Sequence, residues 1–291
     1  MVRTLNRKAN PMRQKHLLGL GSTGFHRIAY VEWGEPANPR VLVCAHGLTR
    51  NGRDFDDLAR ALAEQWRVVC PDMAGRGDSD WLPVKEDYNP ITYRNDCAAL
   101  LARLDVEQVD WLGTSMGGVI GMSLASMPDT PIRRLIVNDI GPFIPSLGLR
   151  RIAGSLGQDP HFADLAEAEA YLRAAMATFG VRQPEHWRHL TEISTRPAAG
   201  GGLKLHYDPG IAASFSGAIL EDTSFWPLWE AIRCPVLVLR GAHSDLLTWQ
   251  TAERMGKLGP QVEVVEIADC GHAPALMERE QIDLIADWLR R

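Results

Sequence analysis

The sequence predicts an α/β protein, a doubly wound and mostly parallel sheet that carries an inserted helical cap. Three observations lead there. Short, continuously apolar runs recur along the chain, and such runs belong to strands covered on both faces. They alternate with segments whose apolar residues have helical spacing, which predicts right-handed crossovers onto one sheet. One stretch of more than 70 residues breaks the alternation and is too long to be a loop.

Taken in order, the first dozen residues read as a loose arm. Phe25 to Trp33 is strand-like and ends at the turn residues Gly34-Glu35-Pro36. Val41 to Ala45 is the first fully apolar run. Asp54 to Glu64 places Phe55, Leu58, Ala59 and Leu62 at helical spacing, and Arg67 to Cys70 returns to strand before Pro71. Thr92 to Leu104 is helix, Val109 to Leu112 strand, Met116 to Ser126 helix and Ile132 to Val137 strand. After the break, Pro235 to Arg240 is strand, Thr248 to Leu258 helix, Val262 to Ile267 strand and Ala275 to Arg290 helix. Residues 142–225 lack a strong apolar strand run and are rich in helix formers, as in Ala163 to Thr178. They are expected to form the cap, with residues 1–141 and 226–291 as the core.

Composition narrows the function. The 291 residues are 45% hydrophobic and 23% charged, which supplies a sizeable core. A net charge of −5 argues against a nucleic-acid partner, which needs a basic face. No stretch approaches 18 apolar residues, so no membrane association is expected, and Met1 to Leu20 lacks the apolar segment of a signal peptide. Five cysteines, Cys44, Cys70, Cys97, Cys234 and Cys270, are an odd number without CxxC spacing. They suit a cytoplasmic location with free thiols.

Gly113-Thr-Ser115-Met-Gly117 lies between a strand and a helix. A sharp turn there lifts a serine out of the sheet, and small residues on either side let neighbouring backbone come close. The serine then stands at a helix N-terminus, which favours developing negative charge. His46-Gly47-Leu48 directly follows the strand Val41 to Ala45, where an acyl-transfer site needs a backbone oxyanion donor. Leu48 and Met116 are the expected pair of donors. A serine hydroxyl also needs an imidazole to take its proton, and His272 lies on the loop after the last strand. The third member is open on spacing alone: Asp139 and Asp245 each follow a strand and lie between Ser115 and His272. Arg50 and Arg53, just past the donor loop, are candidate contacts for a substrate carboxylate. His186 and His189 lack a third metal ligand and read as exposed cap surface. Trp226 and Trp229 sit where the cap rejoins the core.

Together His46-Gly47, Pro71-Asp72-Met-Ala-Gly75-Arg-Gly77-Asp-Ser79, Gly113-Thr-Ser115-Met-Gly117-Gly118, Asn138-Asp139-Ile-Gly-Pro142 and Gly271-His272 resemble the α/β-hydrolase superfamily over nearly the whole chain. The resemblance implies a serine nucleophile, a histidine base and a carboxylate that orients it, with no cofactor and no metal. Asp139, 24 residues after Ser115, resembles a subgroup whose acid follows the sixth strand, and Ser244 stands where the usual acid would be. The resemblance therefore favours Asp139. It implies a small-molecule acyl substrate, with carboxylic esters first and C–C, enol-lactone or amide bonds as alternatives. A ligand receptor built on the same fold is the reading from another class. Haloalkane dehalogenase activity is disfavoured, because those relatives place aspartate where Ser115 stands.

Overall fold

The computed structural model describes residues 12–215 and 221–291. Most of the predicted amino-terminal arm lies outside these residues. Eight strands form one sheet: β1 Arg13–Gly21, β2 Gly24–Trp33, β3 Val41–Ala45, β4 Arg67–Pro71, β5 Val109–Thr114, β6 Ile132–Asn138, β7 Val236–Gly241 and β8 Val262–Ile267. Their spatial order is β1-β2-β4-β3-β5-β6-β7-β8. β3 to β8 run parallel to their neighbours, while β1 pairs antiparallel with β2 and β2 with β4.

The apolar runs are strands because both of their faces are covered. Side chains alternate across a strand, and β3 divides accordingly. Val41, Val43 and Ala45 enter one core, and Leu42 and Cys44 enter the other. β7 splits the same way, Val236 and Val238 against Leu237 and Leu239. Helices α1 Asp56–Leu62 and α9 Arg279–Arg290 supply the second core. Helices α2 Pro90–Arg103, α3 Met116–Ala125, α7 Trp226–Ala231 and α8 Trp249–Lys257 supply the first. Asn89 caps α2 by accepting from the N–H groups of Ile91 and Thr92. Trp226 and Trp229 pack in the first core, and Trp229 Nε1 donates to the Leu258 carbonyl at 2.7 Å.

The segment between β6 and β7 contains α4 Ser146–Ser155, α5 Leu165–Ala175 and α6 Pro184–Ser194. It also contains strands of two or three residues, His161–Phe162, Thr195–Pro197 and Leu203–Leu205, which form a small antiparallel sheet. His186 and His189 are not on an exposed face as expected. Their side chains are 17% and 25% exposed, and they join α6 to the start of α1. His189 Nε2 lies 3.0 Å from the Arg53 carbonyl and 3.7 Å from Asp56, and His186 lies 3.8 Å from Asp57. Helical periodicity at Pro184–Ser194 turns these residues toward the core, a placement that composition does not reveal. Among the described residues no helix is long and apolar enough to cross a membrane.

β1 was not anticipated. It is an edge strand whose apolar Leu18 and Leu20 face outward, so its pattern is not that of a half-buried strand. Glu32 on β2 fastens it. This fully buried carboxylate accepts from Lys15 at 2.9 Å and Arg13 at 3.2 Å on β1, and from Arg67 on β4 at 2.9 Å. Burial works to raise the Glu32 carboxyl, but the Lys15 and Arg67 bonds outweigh it and hold the group below its ordinary value of 4.5. An acid held low in the fold stabilises above its unfolded value, and that contribution disappears as pH falls through the folded one. Glu32→Gln leaves three cations around a neutral group, so it should destabilise the protein by roughly 3 kcal/mol at pH 7. In urea unfolding the gap from wild type should narrow below about pH 4.5. A gap that stays constant down to pH 3 contradicts the ionised role of Glu32.

Candidate active site

Reversal of the chain's winding leaves a crevice between the carboxyl ends of β3 and β5: β3 connects toward β4 on one side, β5 toward β6 on the other. The site lies there. Ser115 bridges β5 and α3 with φ 51° and ψ −113°, a strained conformation for a residue with a side chain. Its N–H donates to the Asn138 carbonyl at 2.9 Å, and the Gly118 N–H bonds back to its own carbonyl. Two glycines make the turn possible. A Cβ on Gly113 would lie 2.2 Å from the Gly117 carbonyl oxygen, and one on Gly117 would lie 2.1 Å from the Ala45 carbonyl oxygen.

A continuous line of hydrogen bonds leads away from the serine. His272 Nε2 is 3.0 Å from Ser115 Oγ, and its Nδ1 is 2.7 Å from Asp139 Oδ2. Asp139 is fully buried at φ 56°. Its carboxylate also accepts from the Gly241 N–H at 2.7 Å and the Ser244 hydroxyl at 2.6 Å. Asp245, the other candidate acid, points elsewhere. It is 39% exposed and paired with Arg151 at 2.6 Å. Ser244 was visible in the sequence only as a residue in the usual acid's place; the structure makes its hydroxyl a donor to Asp139. Asn138 Nδ2 bonds both Thr114 Oγ1 at 3.0 Å and the Pro274 carbonyl at 2.9 Å, joining the serine turn to the histidine loop.

On the other side of Ser115, Gly47 comes so close that a Cβ there would be 3.8 Å from the Ser115 Cβ. Leu48 follows it. Neither the Leu48 nor the Met116 N–H has a hydrogen-bond partner among the described residues. His46 organises this loop and is itself completely buried. Its Nε2 accepts from the Met73 N–H at 2.9 Å, so the proton sits on Nδ1, which donates to the Gly47 carbonyl at 2.6 Å. Burial pushes His46 down to about 3, with the charges of Arg76 and Arg50 acting in the same direction against the Gly47 bond. The ring is therefore neutral at any ordinary pH. A donor on the Gly47 carbonyl polarises the Gly47–Leu48 peptide and strengthens the Leu48 N–H as a donor.

Ser115 and His272 open onto a cavity of about 180 Å³. The segment between β6 and β7 provides much of its wall, including Ile152, Leu156, Tyr171, Met176 and Tyr207. That segment also grips the histidine loop: the Thr178 carbonyl accepts from the Gly271 N–H at 2.7 Å, and the Phe179 carbonyl from the Ala275 N–H at 3.0 Å. Arg50 lines the same cavity. Its guanidinium is clamped by Asp54 at 2.9 and 2.6 Å and donates to Ser194 Oγ at 2.7 Å. Neither Asp54 nor Ser194 carried a motif signal. Arg53 pairs with Asp56 and is absent from the cavity wall. Among the described residues no group of three or more His, Cys, Asp or Glu side chains is arranged to hold a metal.

A family profile described as alpha/beta hydrolase fold matches residues 40–278. The chain belongs to that family. It is 49% identical over 271 residues to the 3-hydroxybutyrate-oligomer hydrolase of Cupriavidus necator, covering 90% of this chain and 92% of the relative. A protein of known crystal structure from Rickettsia typhi superposes with a TM-score of 0.90 at 37% identity, covering 96% of this chain and 99% of that one. An alpha/beta hydrolase from Novosphingobium aromaticivorans superposes with a TM-score of 0.85, also at 37% identity, covering 96% and 98% of the two chains.

The turn geometry yields a contrast in sign. Glycine to alanine normally stabilises a helix by about 1 kcal/mol. Gly256→Ala in α8 meets only Val264, at 3.9 Å, and should raise stability by about 0.5–1 kcal/mol. Gly117→Ala in α3 should instead lower it by 2 kcal/mol or more, because its new methyl meets backbone at Ala45. Denaturant midpoints of the two variants decide the matter. A stabilised Gly117→Ala contradicts the close approach.

Proposed function

We propose that the protein is a serine hydrolase of small carboxylic esters, with Ser115 as nucleophile, His272 as general base and acid, and Asp139 as the residue that orients the histidine. One observation carries the reading: the unbroken line from Asp139 through His272 to Ser115, at 2.7 and 3.0 Å, ending at the cavity. Ser115 Oγ attacks the ester carbonyl while His272 Nε2 takes its proton. The N–H groups of Leu48 and Met116 stabilise the tetrahedral oxyanion. Collapse breaks the ester C–O bond, and His272 returns the proton to the departing alcohol. Water, deprotonated by the same nitrogen, then releases the acid from the acyl-enzyme. Asp139 fixes the Nδ1–H tautomer and stabilises the imidazolium that forms in each half. No cofactor or metal enters these steps.

For the substrate we propose short oligoesters of 3-hydroxybutyrate. The 49% identity to the Cupriavidus necator enzyme of that name supports it, as does a wall of mixed apolar and hydroxyl side chains beside Ser115. Residues 142–225 act as the cap over a core of 1–141 and 226–291, and their contribution to the cavity wall supports that division. Arg50 contacts substrate as a hydrogen-bond donor. Its Asp54 clamp already compensates the charge, so it suits an ester carbonyl or hydroxyl end better than a free carboxylate. Five free thiols support a cytoplasmic setting, and a net charge of −5 supports a small-molecule partner rather than nucleic acid.

Purified protein should release 3-hydroxybutyrate from its dimer and trimer faster than it cleaves matched amides or lactones. Ser115→Ala should lose several orders of magnitude in kcat with the fold intact. Asp139→Asn should lose up to about 10⁴, and Asp245→Asn should keep most activity. Preference for a lactone or a C–C bond would replace the ester assignment. Binding without turnover would favour a receptor. An active Asp139→Asn would remove Asp139 from the line.

A further inference from the structure

The loop after β4, Asp72 to Ser79, is folded onto the site by its own first residue. Asp72 accepts from the Gly52 N–H at 2.7 Å and the Asp78 N–H at 2.9 Å. This carries Arg76 inward until it is completely buried. All of its partners are neutral. Nε donates to the Leu48 carbonyl at 2.8 Å, and Nη1 donates to the Ala74 carbonyl and the Tyr93 hydroxyl, each at 2.6 Å. Nη2 lies 4.0 Å from Met116 Sδ. The guanidinium carbon is 4.9 Å from the Tyr93 ring centre and 5.6 Å from that of Tyr88. Among the described residues no carboxylate lies within 4.0 Å of it. Asp208, beyond Tyr88, is taken up by Lys85 and the Tyr88 hydroxyl.

A buried charge without a counter-ion is costly, so something must make use of it or hold it in place. Arg76 touches both residues assigned as oxyanion donors, and it holds Leu48 from the carbonyl side. On the other side of Leu48, His46 and the Arg50 N–H hold the Gly47 carbonyl. We propose that Arg76 is a positioning residue of the oxyanion hole: it fixes the Leu48 segment so that the Leu48 N–H is aimed before substrate arrives, and it places a permanent positive charge behind the hole. This rests on the ester-hydrolase reading. A fixed cation in a dry setting attracts the carbonyl oxygen weakly in the ground state and strongly once that oxygen is anionic, with no reorganisation during the reaction. The loop is also tied to the cap, since Gly77 N–H donates to the His206 carbonyl at 3.0 Å and Asp208 N–H to the Gly75 carbonyl at 2.7 Å.

The test compares wild type, Arg76→Gln and Arg76→Lys on a chromogenic short-chain ester, together with inhibition by an alkylboronic acid, which forms a tetrahedral anionic adduct on the serine. Arg76→Gln should lower kcat by about 10- to 100-fold and weaken the boronate by a similar factor, with KM within about twofold. Arg76→Lys should recover part of both. If Arg76→Gln does not fold, Arg76→Lys should still show parallel losses in kcat and boronate affinity. A folded variant that keeps wild-type kcat and boronate affinity overturns the proposal, as does a loss that follows only the folded fraction measured by thermal melting. Wild type that neither cleaves the ester nor binds the boronate overturns instead the reading on which the proposal rests.

Discussion

The carboxylate of Asp139 is the interaction on which the arrangement of the site depends. A fully buried carboxylate is tolerable only when its lone pairs are met, and three donors from two other segments meet them. Gly241 and Ser244 belong to the end of β7 and the loop after it, and His272 to the loop after β8. The Asp139 N–H itself donates to the Leu239 carbonyl on β7 at 2.8 Å. One side group therefore fixes the spacing of three strand ends and sets which nitrogen of His272 carries the proton. Asn138, the preceding residue, adds the end of β5 through Thr114 and the Ser115 N–H. Positive φ at Ser115, Asp139 and Ala273 shows the backbone held away from its relaxed shape in the loops after β5, β6 and β8.

The opposite wall of the site is organised by two completely buried groups. His46 is a neutral peg between two backbone segments, and Arg76 is a cation surrounded by carbonyls, a hydroxyl and rings. The two together hold Leu48 by both of its flanking peptide carbonyls. Polar groups of this kind are expensive to bury unless fully satisfied, and satisfied they give rigidity. The segment between β6 and β7 completes the enclosure by lining the cavity and bonding the backbone of the histidine loop.

Much of this was legible in the sequence. Continuous apolar runs identified the parallel strands, because both faces of each must be covered, and the two cores divide those runs residue by residue. Ser115 and His272 stood out in the sequence because a serine in a tight strand-to-helix turn and a histidine after the last strand are a distinctive pair, and the structure brings them within 3.0 Å of each other. Spacing left Asp139 and Asp245 equal, since it cannot say which carboxylate is buried; the resemblance favoured Asp139, and it is Asp139 that lies 2.7 Å from His272 Nδ1. β1 was not legible because two of its three leucines, Leu18 and Leu20, face outward at an edge. The short strands between β6 and β7 have too few residues to carry a period. Arg50, Arg76 and the histidine pair of α6 show the wider limit: a charged residue type suggests solvent, and only packing reveals burial.

Trapping the acyl-enzyme tests the central claim most directly. Acid quenching during turnover of a 3-hydroxybutyrate oligomer, followed by intact-mass and peptide mapping, should find a single hydroxybutyryl group on the peptide that carries Ser115. It should be absent from the Ser115→Ala variant. Turnover with no adduct even under rapid quenching, or an adduct that persists in Ser115→Ala, would contradict the account.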